Sequence, residues 1–503
     1  MMYDLIIKNA MILDGSGAEA YAGDIAISNG KIAAIGTELT GAKEVLDVAG
    51  LTVSPGWIDS HSHSDSAILT YPDQKEKIEQ GITFSITGQC GGSAAPEKER
   101  TTAEWFDQAV ATPQGSGSVM FIGHNTIRRQ VIGNENRDPS PEELEQMKRL
   151  LAEGMDAGAC GMSLGLYYVP GCYAKTDEAI ALAKVVAEKG GLLAAHMRNE
   201  TDKLIEALEE YLLIARESGC RAVVSHHKVG EKANWGKTKK TLEMIDKANA
   251  EGMDVYMDVY PYTASHTTLI ARFLPAQFHP AGTTNRVALL DDPEICNAAK
   301  AWGKSRWGET IDFALVTRCA GCDEFRGMYI NEISEKLGFD DDYDTVFHLI
   351  KKSNGSAGAC FFMMDDAEVC NVMAHPRAMI CTDSGVAKAS TTYHPRLRAS
   401  FPRALGRYVR EQQVTTLPEM IRKMTSLPAY VYNLPGKGWI KEGFDADICI
   451  FDPETIIDQA DYVNCTLPNT GLCYVLVDGK IVVKDGVYNG IRAAKVYRGK
   501  RNV

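Results

Sequence analysis

The stretch Ser54-Pro-Gly-Trp-Ile-Asp-Ser-His-Ser-His63 carries a short apolar strand into a His-x-His pair. Side chains alternate along a β-strand, so two imidazoles spaced by two leave on one face and can reach a single ion. Neutral imidazole is a common ligand for zinc and similar metals, and the Val-Ser-Pro-Gly turn ahead of the strand would hold its end in place. A polar loop holding two histidines by chance competes with a metal site when that pair is taken alone. The rest of the chain separates the two.

The chain has 503 residues, 45% hydrophobic and 24% charged, enough for one large α/β domain of barrel size with a smaller companion. Its net charge of −13 is spread along the chain, and no Lys/Arg cluster is interleaved with aromatics, so nucleic acid is not an expected partner. The apolar runs are too short to cross a bilayer, and the opening Met1-Met-Tyr-Asp4 lacks the basic start and apolar stretch of a secretory signal. Thirteen cysteines, odd in number and scattered, read as free thiols in a reducing cytoplasm rather than a disulfide framework. The single Cys-x-x-Cys, Cys319 and Cys322, has no second pair at zinc-finger spacing and reads as a loop with two small apolar residues. The number of subunits is open, and a homo-oligomer is compatible with the sequence.

Working outward from His63, apolar strands alternate with helical stretches. Strand-like runs end near Ser60, Thr87, Gly123, Leu164, His196, His226 and Val259, with an eighth at Met379–Thr382. Helices are expected at 141–156, 177–189, 202–218 and 238–251, and Ser140-Pro-Glu-Glu143 opens the first with a cap, a proline at the first helical position and a glutamate three after the cap. Eight such units predict an α/β fold, a (β/α)8 TIM-like barrel, over residues 55–435. The long gap between strands seven and eight predicts an insertion at about 275–350 over the barrel mouth. The first 54 residues and the last stretch, 436–503, both read as short strands with turn signals such as Asp478-Gly479, and together predict one small β domain built from both ends.

Active sites of such barrels form at the carboxyl ends of the strands. Here those ends carry His61 and His63, Cys90 in Gly88-Gln-Cys-Gly-Gly92, His196, His226 and Asp383, all of them metal-ligating types. Six ligands exceed the needs of one tetrahedral ion, and two adjacent positions sharing a bridge would use them all. Cys90 is the candidate bridge, because a thiolate can serve two cations and flanking glycines allow close backbone approach.

The ordered set His-x-His, Cys, His, His, Asp resembles the amidohydrolase superfamily and, more narrowly, the N-acyl-D-amino acid deacylases. The match is carried by Pro55–His63, Gly88–Pro96, Gly123-His124, His196–Glu200, Ser225–Lys228, Tyr260–Ala264, Thr382–Gly385 and the closing Gly436–Asp447, nearly the whole chain. The resemblance implies that Cys90, His196 and His226 hold a tighter zinc, that His61 and His63 serve a second, weaker position, and that Asp383 is the general acid/base. It implies metal-dependent hydrolysis of N-acyl-D-amino acids to a carboxylate and a D-amino acid. A substrate α-carboxylate calls for fixed cations and donors, for which Lys228, Arg396, Tyr260 and Tyr262 are candidates. Arg198, Asn199 and Glu200 are placed to orient His196, while His227 should face the other way. The chain departs from the family pattern at Gln89, Gly92 and Ser265-His266-Thr267, which puts substrate identity in doubt more than reaction class.

Two other functions compete. A cyclic amide or imide, as in hydantoinases and dihydropyrimidinases, or a D-residue peptide would use the same chemistry, but many of those relatives carry a bridging lysine on the fourth strand, and Gly158–Gly165 has none. A barrel that had lost catalysis and serves as a scaffold would be expected to have lost ligands, and all six are kept.

Overall fold

The computed structural model describes residues 2–386 and 394–499. Five strands open it: β1 (Tyr3–Ile12), β2 (Tyr21–Ser28), β3 (Lys31–Gly36), β4 (Ala42–Asp47) and β5 (Thr52–Pro55). Eight parallel strands then form the barrel wall in chain order: β6 (Trp57–Asp59), β7 (Ile82–Thr87), β8 (Gly117–Met120) continued by β9 (Ile122–Gly123), β10 (Gly161–Gly165), β11 (Leu192–His196), β12 (Ala222–Val224), β13 (Val255–Val259) and, after an insertion holding β14 (Ser265–Thr268), β15 (Ala314–Arg318) and β16 (Gly358–Phe361), β17 (Ala378–Ile380). Four strands close the chain: β18 (Ile448–Phe451), β19 (Leu472–Val477), β20 (Lys480–Lys484) and β21 (Val487–Tyr488).

Alternation explains the wall. Phe84, Ile86, Val119, Phe121, Leu192, Ala194, Val223 and Met379 fill the barrel interior, while their neighbours Met120, Ile122, Leu193, Ala195, Val224 and Ile380 pack outward under the helices. Both faces are therefore apolar, as a parallel sheet covered by helices requires. The helices fall at Pro141–Ala157, Thr176–Glu188, Leu204–Ser218 and Lys237–Ala250, with shifts of a residue or two at their ends. Ser140 and Glu143 make the reciprocal capping box that starts the first of them.

The two chain ends join edge to edge. β18 runs antiparallel to β5, with Ile450 opposite Val53, and this pairing links β1–β5 and β18–β21 into one nine-stranded sheet. Asp478 and Gly479 both take positive φ (49° and 73°) in the β19–β20 turn, the conformation that Asp-Gly favours in a two-residue hairpin. The segment between β13 and β17 has its own core around Phe273, Tyr343, Val346 and Phe361 and its own sheet, ordered β14-β16-β15, which reaches beyond 275–350 on both sides.

One expectation needs correcting here. Cys319 and Cys322 are joined by a disulfide, so the thirteen cysteines are not all free thiols; the turn after β15 brings their Cα atoms to 5.2 Å. No other disulfide is found among the described residues. No described helix is long and apolar enough to cross a membrane.

Candidate metal centre and active site

At the carboxyl end of the barrel the ligating atoms of His61, His63, Cys90 and Asp383 lie within 4.8 Å of one another, and those of Cys90, His196 and His226 form a second group of the same tightness. Cys90 belongs to both. Its Sγ is 3.3 Å from His61 Nε2 and 3.3 Å from His226 Nε2. Asp383 Oδ1 lies 3.1 Å from His63 Nε2 and 3.6 Å from His61 Nε2, while Oδ2 accepts a hydrogen bond of 2.8 Å from Arg396.

Backbone conformation brings these groups in. His196 ends β11 in phase with the interior residues Leu192 and Ala194, so alternation alone aims it inward. His226 lies past the end of β12, where Val223 is interior; strict alternation would send it outward, but its φ of +36° turns the chain and the ring meets Cys90. Cys90 and Asp383 also take positive φ, 54° and 47°. Left-handed backbone is uncommon outside glycine and clusters at functional sites, where the surroundings hold it in place. The loop carrying Cys90 lies flat on β10: a Cβ on Gly165 would sit 2.1 Å from the Cys90 carbonyl oxygen, and Gly91 has φ +77°.

Electrostatics suit a cation. Burial pushes the Cys90 thiol up, but His61 and His226 outweigh it and hold it well below its ordinary range. Burial likewise raises Asp383, yet Arg396 and His226 hold it well below the carboxylate range. Burial opposes protonation of His63, but Asp383 and Cys90 push it up to about 9; His196 is lowered, first by burial. Among the described residues the buried imidazole nitrogens His61 Nδ1 and His196 Nδ1 have no hydrogen-bond partner, and thiolate, imidazole and carboxylate together form a donor set for zinc or a similar ion. The residues present fit a metal in either group.

Around the ligands, Glu200 spans the second group, with Oε1 3.0 Å from His226 Nδ1 and Oε2 3.5 Å from His196 Nε2. Lys228 Nζ donates to Glu200 Oε1 at 2.6 Å and to the His226 carbonyl at 2.8 Å, and lies over the Tyr260 ring. One cleft is lined by Tyr167, Tyr168, Lys228, Tyr260, Ser265 and Met364 among others; an adjoining one, lined by His63, Arg318, Asp383 and Arg396, shares Tyr168, His266 and Asp383 with it. His227 turns away to Thr241 Oγ1 at 2.8 Å.

Two candidates lie elsewhere. Arg198 does not orient His196: its guanidinium makes two bonds of 2.8 Å to Glu210 and two more to the carbonyls of Cys172 and Ala174, which tie it down away from the ligands. Tyr262 lines neither cleft. Its amide bonds back to the Tyr260 carbonyl at 2.9 Å, a tight turn that swings the ring against His394 and under Arg403. Three residues were missed. Asp258, fully buried on β13, accepts from the His226 amide at 2.6 Å and faces His61 Nδ1 at 3.5 Å. Lys77 and Asp59 form a buried ion pair of 2.7 Å beneath Thr382. Only an acid one strand over from His226 and a lysine in an otherwise polar helix signalled them, and neither is informative without the fold.

Comparison with known proteins agrees with this geometry. A family model described as the amidohydrolase family matches residues 44–483. A D-aminoacylase of Alcaligenes xylosoxydans xylosoxydans is 33% identical over 98% of this chain and 97% of its own length. An N-acyl-D-glutamate deacylase of the same organism is 35% identical over 95% and 93%. The crystal structure of N-acyl-D-glutamate deacylase from Bordetella bronchiseptica, complexed with zinc and a phosphonate mimic of the tetrahedral intermediate, superposes with a TM-score of 0.85 at 33% identity, covering 99% of this chain and all of that one.

Proposed function

The chain belongs to the amidohydrolase family, and from that premise we propose that it hydrolyses N-acyl-D-amino acids to a carboxylate and a free D-amino acid, as a metal-dependent enzyme acting on linear amides. Support comes from its near full-length likeness to deacylases named for that activity. The observation that carries the assignment is the convergence of Cys90 with four histidines and Asp383 at one barrel mouth. The expected division assigns the barrel with its insertion to catalysis and the two chain ends to the small β domain, except that the tail beyond Tyr488 does not stay with that domain: Ala494 pairs with Gln114 and Val496 with Ser118 of the barrel. The odd number of scattered cysteines supports a cytoplasmic location.

In this assignment Cys90, His196 and His226 would hold the principal zinc, and His61 and His63, beside Cys90 and Asp383, would hold a second and weaker ion. A bound ion of this kind polarises a carbonyl and makes water a usable nucleophile near neutral pH. Asp383, anionic and fixed through Oδ2 by Arg396, has Oδ1 turned to the histidines, where it takes the proton of the attacking water and passes it to the leaving nitrogen. Lys228 and Tyr260, on one wall of the cleft, hold the substrate carboxylate. Arg396, engaged with Asp383, positions the base and adds positive potential for that anion. Tyr167 and Tyr168 pack on the His196 ring and shield it from bulk water.

The test is amine release from N-acetyl amino acids in D and L forms by zinc-loaded protein. We expect turnover of D substrates only, abolished by chelation. Equal turnover of L forms, or full activity after metal removal, would overturn the assignment.

A further inference from the structure

The barrel closes unevenly, and the irregular joint carries three of the candidate ligands. β13 and β17 pair in register, but among the described residues no ladder joins β17 to β6, and Ser60 bonds the Ile380 carbonyl through its N at 3.4 Å and its Oγ at 2.9 Å. Beyond the strand ends, Asp383 N donates to the His61 carbonyl at 2.9 Å and His63 N to the Ser384 carbonyl at 3.1 Å. Lys77 reaches into this joint and is fully buried. Its ammonium donates to Asp59 Oδ2 at 2.7 Å, Thr382 Oγ1 at 2.7 Å and the Ser384 carbonyl at 2.8 Å, which uses all three of its protons. Asp59 in turn accepts from Thr382 Oγ1 at 2.7 Å, Thr382 N at 2.8 Å and His61 N at 3.3 Å. The segment carrying Lys77 is tied to the helix after β17 by Gln80 to the Leu397 carbonyl at 2.8 Å and by Arg398 to Glu76 at 2.9 Å.

Every contact of this knot lands next to a functional residue. Asp59 holds the His61 amide, and the two atoms that Lys77 grips besides Asp59 belong to the residues on either side of Asp383. A surface or purely stabilising ion pair has no reason to touch both flanks of the base. Buried and fully satisfied, the pair cannot relax without exposing an uncompensated charge, so it is stiff.

We propose that Lys77, acting with Asp59, is a positioning residue for the hydrolysis: it sets the spacing between His61–His63 and Asp383, and so governs the second metal position and the base, while Cys90, His196 and His226 lie outside its control. This rests on the roles assigned above.

The experiment uses full-length Lys77→Met and Thr382→Val proteins, titrated with zinc against a competing chelator and assayed on a turned-over N-acyl-D-amino acid. Thr382→Val removes one hydroxyl without unpairing a charge, so it decides the matter should Lys77→Met not fold. We expect the second zinc to bind about 10–100-fold more weakly and kcat to fall with it, while KM and the first zinc equivalent stay within about threefold. Second-site affinity and kcat within about twofold of the parent in both variants would overturn the proposal, as would parallel loss of both zinc equivalents. If no N-acyl amino acid is turned over, the zinc isotherms alone decide it, which separates its failure from that of the deacylase assignment.

Discussion

The two halves of the metal centre are built in different ways. His196 ends β11 and His226 follows β12, neighbours in a six-stranded parallel sheet whose register runs without interruption from β9 to β17. His61, His63 and Asp383 flank the joint between β6 and β17, where isolated backbone bonds and a buried Lys–Asp–Thr knot replace a ladder. A ladder places a side chain through many weak, cooperative bonds; a knot does so through a few strong ones that depend on single residues. The ladder half should therefore tolerate neighbouring substitutions, and the joint half should respond sharply to them.

Cys90 is common to both halves, and its loss is the severest way to break the contrast. Cys90→Ala should lower kcat/KM by at least about 10^3-fold and weaken zinc binding at both positions, since each loses its thiolate. Zinc content and turnover check it; retention of both ions would show that the halves do not share this ligand.

Asp383→Asn separates them. Removing the base should reduce kcat by about 10^2–10^4-fold, while the ion held by the ladder half stays bound. Steady-state kinetics beside a metal analysis of the same preparation provides the comparison.

Acidity should distinguish the halves next. In the metal-free protein His63 is raised to about 9, so at neutral pH a proton must leave before that nitrogen can ligate. His196 is lowered and stands neutral, with no such competition. Zinc affinity of the joint half, where His61 is raised as well, should therefore climb by at least about tenfold per pH unit until roughly pH 9, and that of the ladder half, where His226 is raised but His196 is lowered, should climb less steeply. Isotherms between pH 6 and pH 9 test the sign; equal slopes for both ions would contradict it.

The smallest effect is expected outside both halves. Arg198→Ala breaks a partly exposed pair with Glu210, worth less than about 1 kcal/mol, and should leave zinc content and kcat unchanged. Thermal denaturation and the standard assay suffice to check it.

Much of the fold was legible from local pattern. Period-two apolar runs, a capping box at Ser140 and an Asp-Gly turn at Asp478 act over a few residues, and such preferences survive in the folded chain. The candidate ligands were legible as residue types at strand ends. Direction was not: Arg198 and Tyr262 sat at promising spacings, yet Glu210 took up the first and a tight turn after Tyr260 swung away the second. Nor did spacing announce that Cys319 and Cys322 would pair, or that Asp258 would hold the His226 amide.

By itself, then, the sequence determined the barrel, the small sheet shared by its two ends, and which side chains could bind a metal, because alternation, turn chemistry and ligand type are properties of short segments. Only the tertiary structure decided that His226 turns inward at φ +36°, that Cys90 stands between two groups of ligands, and that Lys77 locks Asp59 to Thr382 across more than 300 positions of chain. Those outcomes depend on which atoms surround a buried charge or a strained peptide, and the surroundings come from residues far away in sequence.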